Sequence, residues 1–322
     1  MQAITYTSRQ KLTDDDFGLK GGASFIAYPE QGGRIDELVL YQDDLPVSVL
    51  RSLGSEAQVR SDQTYNNTLL FPFANRLEMG KYEFEGNEYR FPVNDQQTNY
   101  HSALHGLLYN HVFEVTDSRK SDDGSFKKLD LRAQIGKSDF ASYPFDVEFQ
   151  VQYRIINNHA FRVAFLLRNT GKQNAPAGFG WHPYFTLGHP VDELYLRMQE
   201  ADQVEVDKNL IPTGIKTPFT RFSGESRPLN SENFDTCFQL NGDGPFETTL
   251  VSPVQNISLS IRQSSTLPYL QIFIPGDRKS IAIEPVSSNI NAFRNKEGLI
   301  VLKPGESVSA WIELSVAKAA SP

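Results

Sequence analysis

The feature that most narrows what this chain can fold into is a period of two. In FDVEFQVQYRI, Phe145, Val147, Phe149, Val151, Tyr153 and Ile155 alternate with mostly polar residues. Successive side chains of an extended strand point to opposite faces, so these apolar groups share one face; a helix would scatter them. ISLSI repeats the pattern through Ile257, Leu259 and Ile261, ELYLRM through Leu194, Leu196 and Met198, and WIELSV through Ile312, Leu314 and Val316. Turn-forming clusters separate such runs: GN at 86–87, SDDGS at 121–125, RNTGK at 168–172 and PGDRK at 275–279. No long segment carries the apolar stripe of an amphipathic helix, and the 22 glycines and 18 prolines are spread along the chain, not gathered in a linker. Parallel βαβ units would need a helix in most crossovers. The pattern therefore predicts an all-β fold, a large antiparallel β-sandwich with few short helices, as a single domain over residues 1–322.

Charge and cysteine content limit the partners. With 39 acidic against 31 basic residues the net charge is −8, and no basic stripe overrides it, so nucleic acid is not an expected partner. The opening MQAITYTSRQ lacks the elements of a secretory signal, and no apolar run reaches the ~18 residues of a membrane span. Cys237 is the only cysteine, which excludes an internal disulfide and fits a reducing, cytoplasmic compartment; it reads as a small buried hydrophobe. NNT at 66–68 and NIS at 256–258 match the glycosylation triplet, a pattern common by chance.

Polar chemistry collects in four segments. FPFANRLEMG (71–80) carries Asn75 and Arg76, NYHSALHG (99–106) carries His101 and His105, and GFGWHPYFTLG (178–188) sets His182 among aromatics. SIAIEPVSSNINAF (280–293) is an alternating strand in which Ile281 and Ile283 share one face and Ala282 and Glu284 the other. With the isoleucines in the core, Glu284 looks out over the opposite face. Each residue taken singly also has an ordinary reading: a solvated glutamate, an arginine in an ion pair, histidines satisfied by carbonyls. The 6 histidines form no compact cluster with zinc spacing, and His101 and His105, four apart, do not sit on a metalloprotease-like helix.

Together these segments resemble the aldose 1-epimerases, or mutarotases, and their hexose-phosphate epimerase relatives. NRLEMGKYEFEGNEYRF, LHG at 104–106, HPYF at 182–185 and IAIEPVSSNINAF follow the family's order, joined by PEQGGRIDEL and by IPTG at 211–214. The resemblance implies a mutarotase-like β-sandwich with Glu284 as general base and His182 as general acid. It also implies a sugar-binding set of Arg76, His105, Asn75 and, from NFDTCF, Asp235. Two departures bear on the preferred sugar: Leu107 follows Gly106 where a second glycine is common, and HPYF replaces HAYF.

The implied chemistry needs no cofactor and no metal. Glu284 would take the C1 hydroxyl proton while protonated His182, across the ring, gives one to the ring oxygen; the open aldehyde rotates and recloses. Both groups would need only modest pKa tuning to work near neutrality. No glycine-rich dinucleotide loop follows a strand. A glycosidase would normally pair two carboxylates, and a non-catalytic carbohydrate-binding protein would not need both Glu284 and His182. The expected partner is a free aldohexose, with hexose 6-phosphate the alternative should Arg51 or Arg60 join Arg76. The expected assembly is a monomer or homodimer.

Overall fold

The structure, a computed structural model, describes residues 22–118 and 128–319; the SDDGS turn lies outside them. The strand with the clearest alternation spans Val147–Asn157, and its Val147, Phe149, Val151, Tyr153 and Ile155 are fully buried. It is an interior strand of a nine-stranded antiparallel sheet. The three other alternating runs belong to the same sheet, in Tyr195–Met198, Ile257–Gln263 and Ser307–Lys318. Its order is Arg227–Pro228, Tyr195–Met198, Phe246–Ser252, Ile257–Gln263, Ser307–Lys318, Ala160–Asn169, Val147–Asn157, Lys128–Ile135 and Glu114–Asp117. One face packs on the core and the other meets solvent, which is why period two is so clear here.

The second large sheet has eight strands and reads differently. Its path runs Pro212–Phe219, Ala201–Val206, Asp235–Leu240, Tyr269–Phe273, Ile281–Val286, Gly180–His182 and Thr68–Leu70, with Tyr184–Phe185 also pairing with Ile281–Val286. Ile281–Val286 is buried at every position, so both faces are covered. A shared apolar cluster takes Phe149, Phe165 and Leu314 from the first sheet and Phe238, Leu270, Ile272, Ile281 and Ile283 from the second. Phe149 sits at the junction, stacked on Phe71 at 5.4 Å and edge-on to Phe179 at 6.0 Å. Burying each such side chain contributes roughly 1.5–3 kcal/mol.

The isoleucines thus face the core, as the alternation predicts, and Glu284 faces away from it. Register then builds a row: Gln271 pairs with Glu284 on one side and with Cys237 on the other. Directly opposed residues share a face, so these three side chains lie together beneath the segments that cover this side of the sheet. Cys237 is a buried free thiol in a small apolar cluster with Leu70, Tyr269 and Val286, and burial pushes its pKa up to about 12.

Helix is scarce. The described residues hold the α-helices Glu56–Ser61 and Ala292–Asn295 and the 3₁₀ turns Leu108–Asn110 and Val191–Glu193. None of the described helices is long and apolar enough to cross a membrane. One turn falls a residue earlier than the sequence suggests. Phe84 pairs with Asn87, so the hairpin loop is Glu85–Gly86, with both φ values positive (48° and 77°). That is the mirror-image turn that matches strand twist, and it requires the left-handed region at both positions.

Candidate active site

Two glycines bring the chemistry together. A Cβ on Gly180 would lie 2.5 Å from the Pro285 carbonyl oxygen. Only glycine lets strand Gly180–His182 pair so closely with Ile281–Val286, through Gly180 and Val286. Two residues along, His182 Nε2 stands 3.4 Å from Glu284 Oε1. Gly106, at φ 73°, is pressed so near Phe71 that a Cβ would sit 2.2 Å from its carbonyl oxygen. This fixes the LHG turn and presents His105, itself left-handed at φ 61°, edge-on to His182 at a ring distance of 4.9 Å.

Around this pair lies a polar cavity of about 240 Å³ lined by Asn75, Arg76, His105, His182, Asp235 and Glu284, the full set of site residues expected from the sequence. They come from five separate segments. His101 does not join them; its Nε2 lies 3.7 Å from Glu78. Arg51 and Arg60 do not line the cavity either, being paired with Asp277 and Glu56.

Arg76 is fixed from three sides. Its Nε donates to Asp95 at 2.7 Å, Nη1 to Asn75 Oδ1 at 3.2 Å and Nη2 to Gln97 Oε1 at 2.8 Å. Asp235 accepts from Gln271 Nε2 at 2.9 Å and from Gln97 Nε2 at 3.1 Å. The His182 ring stacks on Tyr184 at 4.9 Å with the planes 17° apart, and His105 leans on Tyr65 at 4.6 Å. His182 therefore has its aromatic floor, but it is only 4% exposed, and Glu284 only 2%. Neither is a surface group; they stand at the bottom of the cavity.

Depth reverses one expectation from the sequence. Burial disfavours charge on both groups. It lowers the His182 pKa to about 4. It raises that of Glu284 well above the ordinary carboxyl value; the nearby Asp235 carboxylate adds to this, and Arg76 opposes it. His105 is pushed well below the usual imidazole range by burial, then by His182 and Arg76. The tuning is thus large, and the uncharged pair, proton on Glu284 and neutral His182, is the favoured form. Eight buried side-chain polar atoms have no hydrogen-bond partner among the described residues, and four of them stand here: His105 Nδ1, His182 Nδ1, Gln271 Oε1 and Glu284 Oε2. Leaving such groups unpaired costs about 1–3 kcal/mol each, and all four belong to residues lining the cavity.

The fold also assembles a donor set absent from the sequence spacing. One ligand atom each from His105, His182 and Glu284 lies within 4.8 Å of the others. Such a set could hold a divalent ion. The buried guanidinium of Arg76, whose charge acts on both Glu284 and His105, works against a second cation there.

Sequence reading missed Asn67, Gln97 and Gln271. Asn67, fully buried at φ 55°, laces the HPYF segment: its backbone N–H donates to His182 O at 3.0 Å, and its Oδ1 accepts from Tyr184 N at 2.8 Å. Its carbonyl accepts from Trp181 Nε1 at 3.1 Å. The NNT triplet is thus internal structure, its Asn66 being buried too. The only sequence signal was a pair of asparagines, residues that tolerate the left-handed region, ahead of an apolar run.

A β-sandwich whose polar cavity sets a carboxyl against an imidazole has the groups for acid–base chemistry on a small polar ligand. The chain belongs to the aldose 1-epimerase family: the family model for Aldose 1-epimerase matches residues 18–315. It is similar to the uncharacterized protein YihR of Escherichia coli, 28% identical over 74% of this chain and 75% of that one. It is also similar to the galactose mutarotase of Rattus norvegicus, 24% identical over 60% of this chain and 61% of the other. A galactose mutarotase-like protein from Clostridium acetobutylicum shares the fold at a TM-score of 0.81 and 21% identity, covering 92% of this chain and 93% of its own.

Proposed function

We propose that this chain interconverts the α and β anomers of a free aldohexose, with Glu284 and His182 moving the protons. The observation that carries the reading is the 3.4 Å contact between His182 Nε2 and Glu284 Oε1, deep in a polar cavity. The two groups are neighbours, not partners spaced across a ring. That suits the reaction, because the two oxygens that exchange protons, the C1 hydroxyl and the ring oxygen, are bonded to the same carbon.

Opening begins from the ionic form of the pair. The Glu284 carboxylate takes the C1 hydroxyl proton, the C1–O electrons form the aldehyde, the bond to the ring oxygen breaks, and imidazolium His182 protonates that oxygen. Rotation about C1–C2 presents the other face, and closure reverses each step. The uncharged pair favoured by burial carries its protons where they stand after opening. The two forms differ by one proton moved across the contact, and the pair has zero net charge in both. Hydroxyls that bond Glu284 Oε2 and His182 Nδ1 would favour the ionic form. Arg76, held by Asp95, presents its fork to sugar oxygens.

The cavity's charge supports an unphosphorylated substrate. Among the described residues Arg76 is the only cation lining it, and that charge is already paired with Asp95, while Asp235 adds a carboxylate. A phosphate would find no free guanidinium. The lone buried thiol supports a reducing, cytoplasmic location. The test is NMR exchange between anomers across a panel of aldoses and their 6-phosphates. Catalysed exchange of free glucose or galactose, with at least tenfold higher kcat/KM than for the phosphates, is the expected result; preference for the phosphates overturns the substrate assignment.

A further inference from the structure

Among the residues lining the cavity is an exposed side chain with the bonding pattern of a sugar hydroxyl. Gln97 Oε1 accepts from Arg76 Nη2 at 2.8 Å, and Gln97 Nε2 donates to Asp235 Oδ2 at 3.1 Å. A hydroxyl group is likewise acceptor and donor at once. Bound between the same cation and the same carboxylate, it would accept from Arg76 and donate to Asp235. We propose that Gln97 is a built-in stand-in for that hydroxyl, a latch that sits on the sugar-binding groups and swings away when substrate takes its place. The proposal rests on the reading of the cavity as a sugar site.

The loop is constructed so that the latch can leave without dismantling the site. Asp95, 1% exposed, anchors its base by accepting from Arg76 Nε, from Thr98 Oγ1 at 2.7 Å and from Gln97 N at 3.1 Å. Tyr100 N closes the loop on Asp95 O at 2.7 Å. Arg76 reaches Asp95 and Gln97 through different nitrogens, so losing Gln97 leaves the guanidinium held through Nε and Nη1. Asp235 likewise keeps its bond from Gln271. Beyond the anchor the loop is loosely committed: Gln97 itself is exposed, and Asn99 and Tyr100 lie in the left-handed region at φ 54° and 60°. A neutral amide on a tether of two methylenes, competing with water at an exposed position, is a weak link by design of its chemistry. A buried strut would be shielded and would have no need of such a pattern.

A latch closed most of the time lowers apparent affinity by the fraction of molecules that are open. With about two-thirds to nine-tenths closed, Gln97→Ala should lower KM by roughly three- to tenfold and leave kcat near the wild-type value. Gln97→Met, which keeps the length but neither hydrogen bond, should do the same. A KM that is unchanged or raised in Gln97→Ala overturns the latch, since a residue that contacts bound sugar or merely supports Arg76 would move KM upward. A second measurement needs no turnover. In protein labelled with ¹⁵N-glutamine, the side-chain amide signal lost in Gln97→Ala should lie outside the envelope of exposed glutamines and move into it as galactose saturates the site. A signal inside that envelope in the free protein also overturns the proposal. If the wild-type protein exchanges no aldose, the sugar reading fails, and the free-protein signal still decides whether the latch is closed.

Discussion

Replacing Glu284 with glutamine should remove most turnover and, above pH 5, make the folded protein more stable. The side chain is 2% exposed, its Oε2 has no partner among the described residues, and its pKa is raised first by burial and then by Asp235. A carboxyl whose folded pKa lies above its unfolded value, ordinarily 4.5, keeps its proton longer in the native state. Its contribution to stability is complete below that unfolded value and is lost as pH rises through the folded pKa. Glutamine has no proton to lose, so wild type and Glu284→Gln should be nearly equal at pH 4 and diverge as pH rises. Above its folded pKa the wild-type carboxylate stands buried with Oε2 unpartnered, and removing one buried unsatisfied group of this kind is worth about 1–3 kcal/mol, which is the gain expected at pH 8. Turnover should fall by roughly 10²–10⁴-fold, the usual contribution of a positioned acid or base. Urea unfolding at pH 4, 6 and 8 and NMR anomer exchange at saturating sugar measure the two effects on one sample. Unchanged exchange would remove Glu284 from the reaction; a variant less stable than wild type at pH 8 would show that the carboxylate is well solvated in the native state, refuting the burial argument.

The remaining predictions concern its neighbours. His182, whose folded pKa falls from 6.5 to about 4, contributes stability present above pH 6.5 and lost as pH drops towards 4, about 3 kcal/mol at some 1.4 kcal/mol per pH unit. Glu284 shifts in the opposite sense, so the comparison to make is acid unfolding of His182→Asn against wild type: the variant should lose less stability from pH 7 to 4, with turnover down roughly 10²–10⁴-fold, and equal acid sensitivity would count against a buried neutral His182. Arg76→Lys keeps a cation near Asp95 but gives up the fork that reaches Asn75 and Gln97. Hydrogen bonds to charged groups are worth about 1.5–3 kcal/mol, so kcat/KM should fall by about tenfold or more, and an unaltered value would show that the fork does not grip the sugar.

What could be read from the residues, and what could not, follows from where water lies. Val147–Asn157 was legible because one of its faces is core and the other solvent. The orientation of Glu284 was legible for a related reason: Ile281 and Ile283 had to enter the core, which left the glutamate on the other side. Whether that other side was wet or dry was not. Ile281–Val286 is buried on both faces, and alternation says nothing about what covers the second. The cover comes from residues far away in the chain, Tyr65, Arg76 and His105, brought over Glu284 by close approaches such as those of Gly106 and Gly180. That distant cover is what pushes His182 towards neutrality and raises Glu284. It is also why Gln271 and Gln97 escaped notice, since an amide carries no chemical signature until its partners are known. The ordered motifs could name the groups that line the cavity. The dryness that sets their protonation is a property of the assembled walls, and it belongs to the tertiary structure alone.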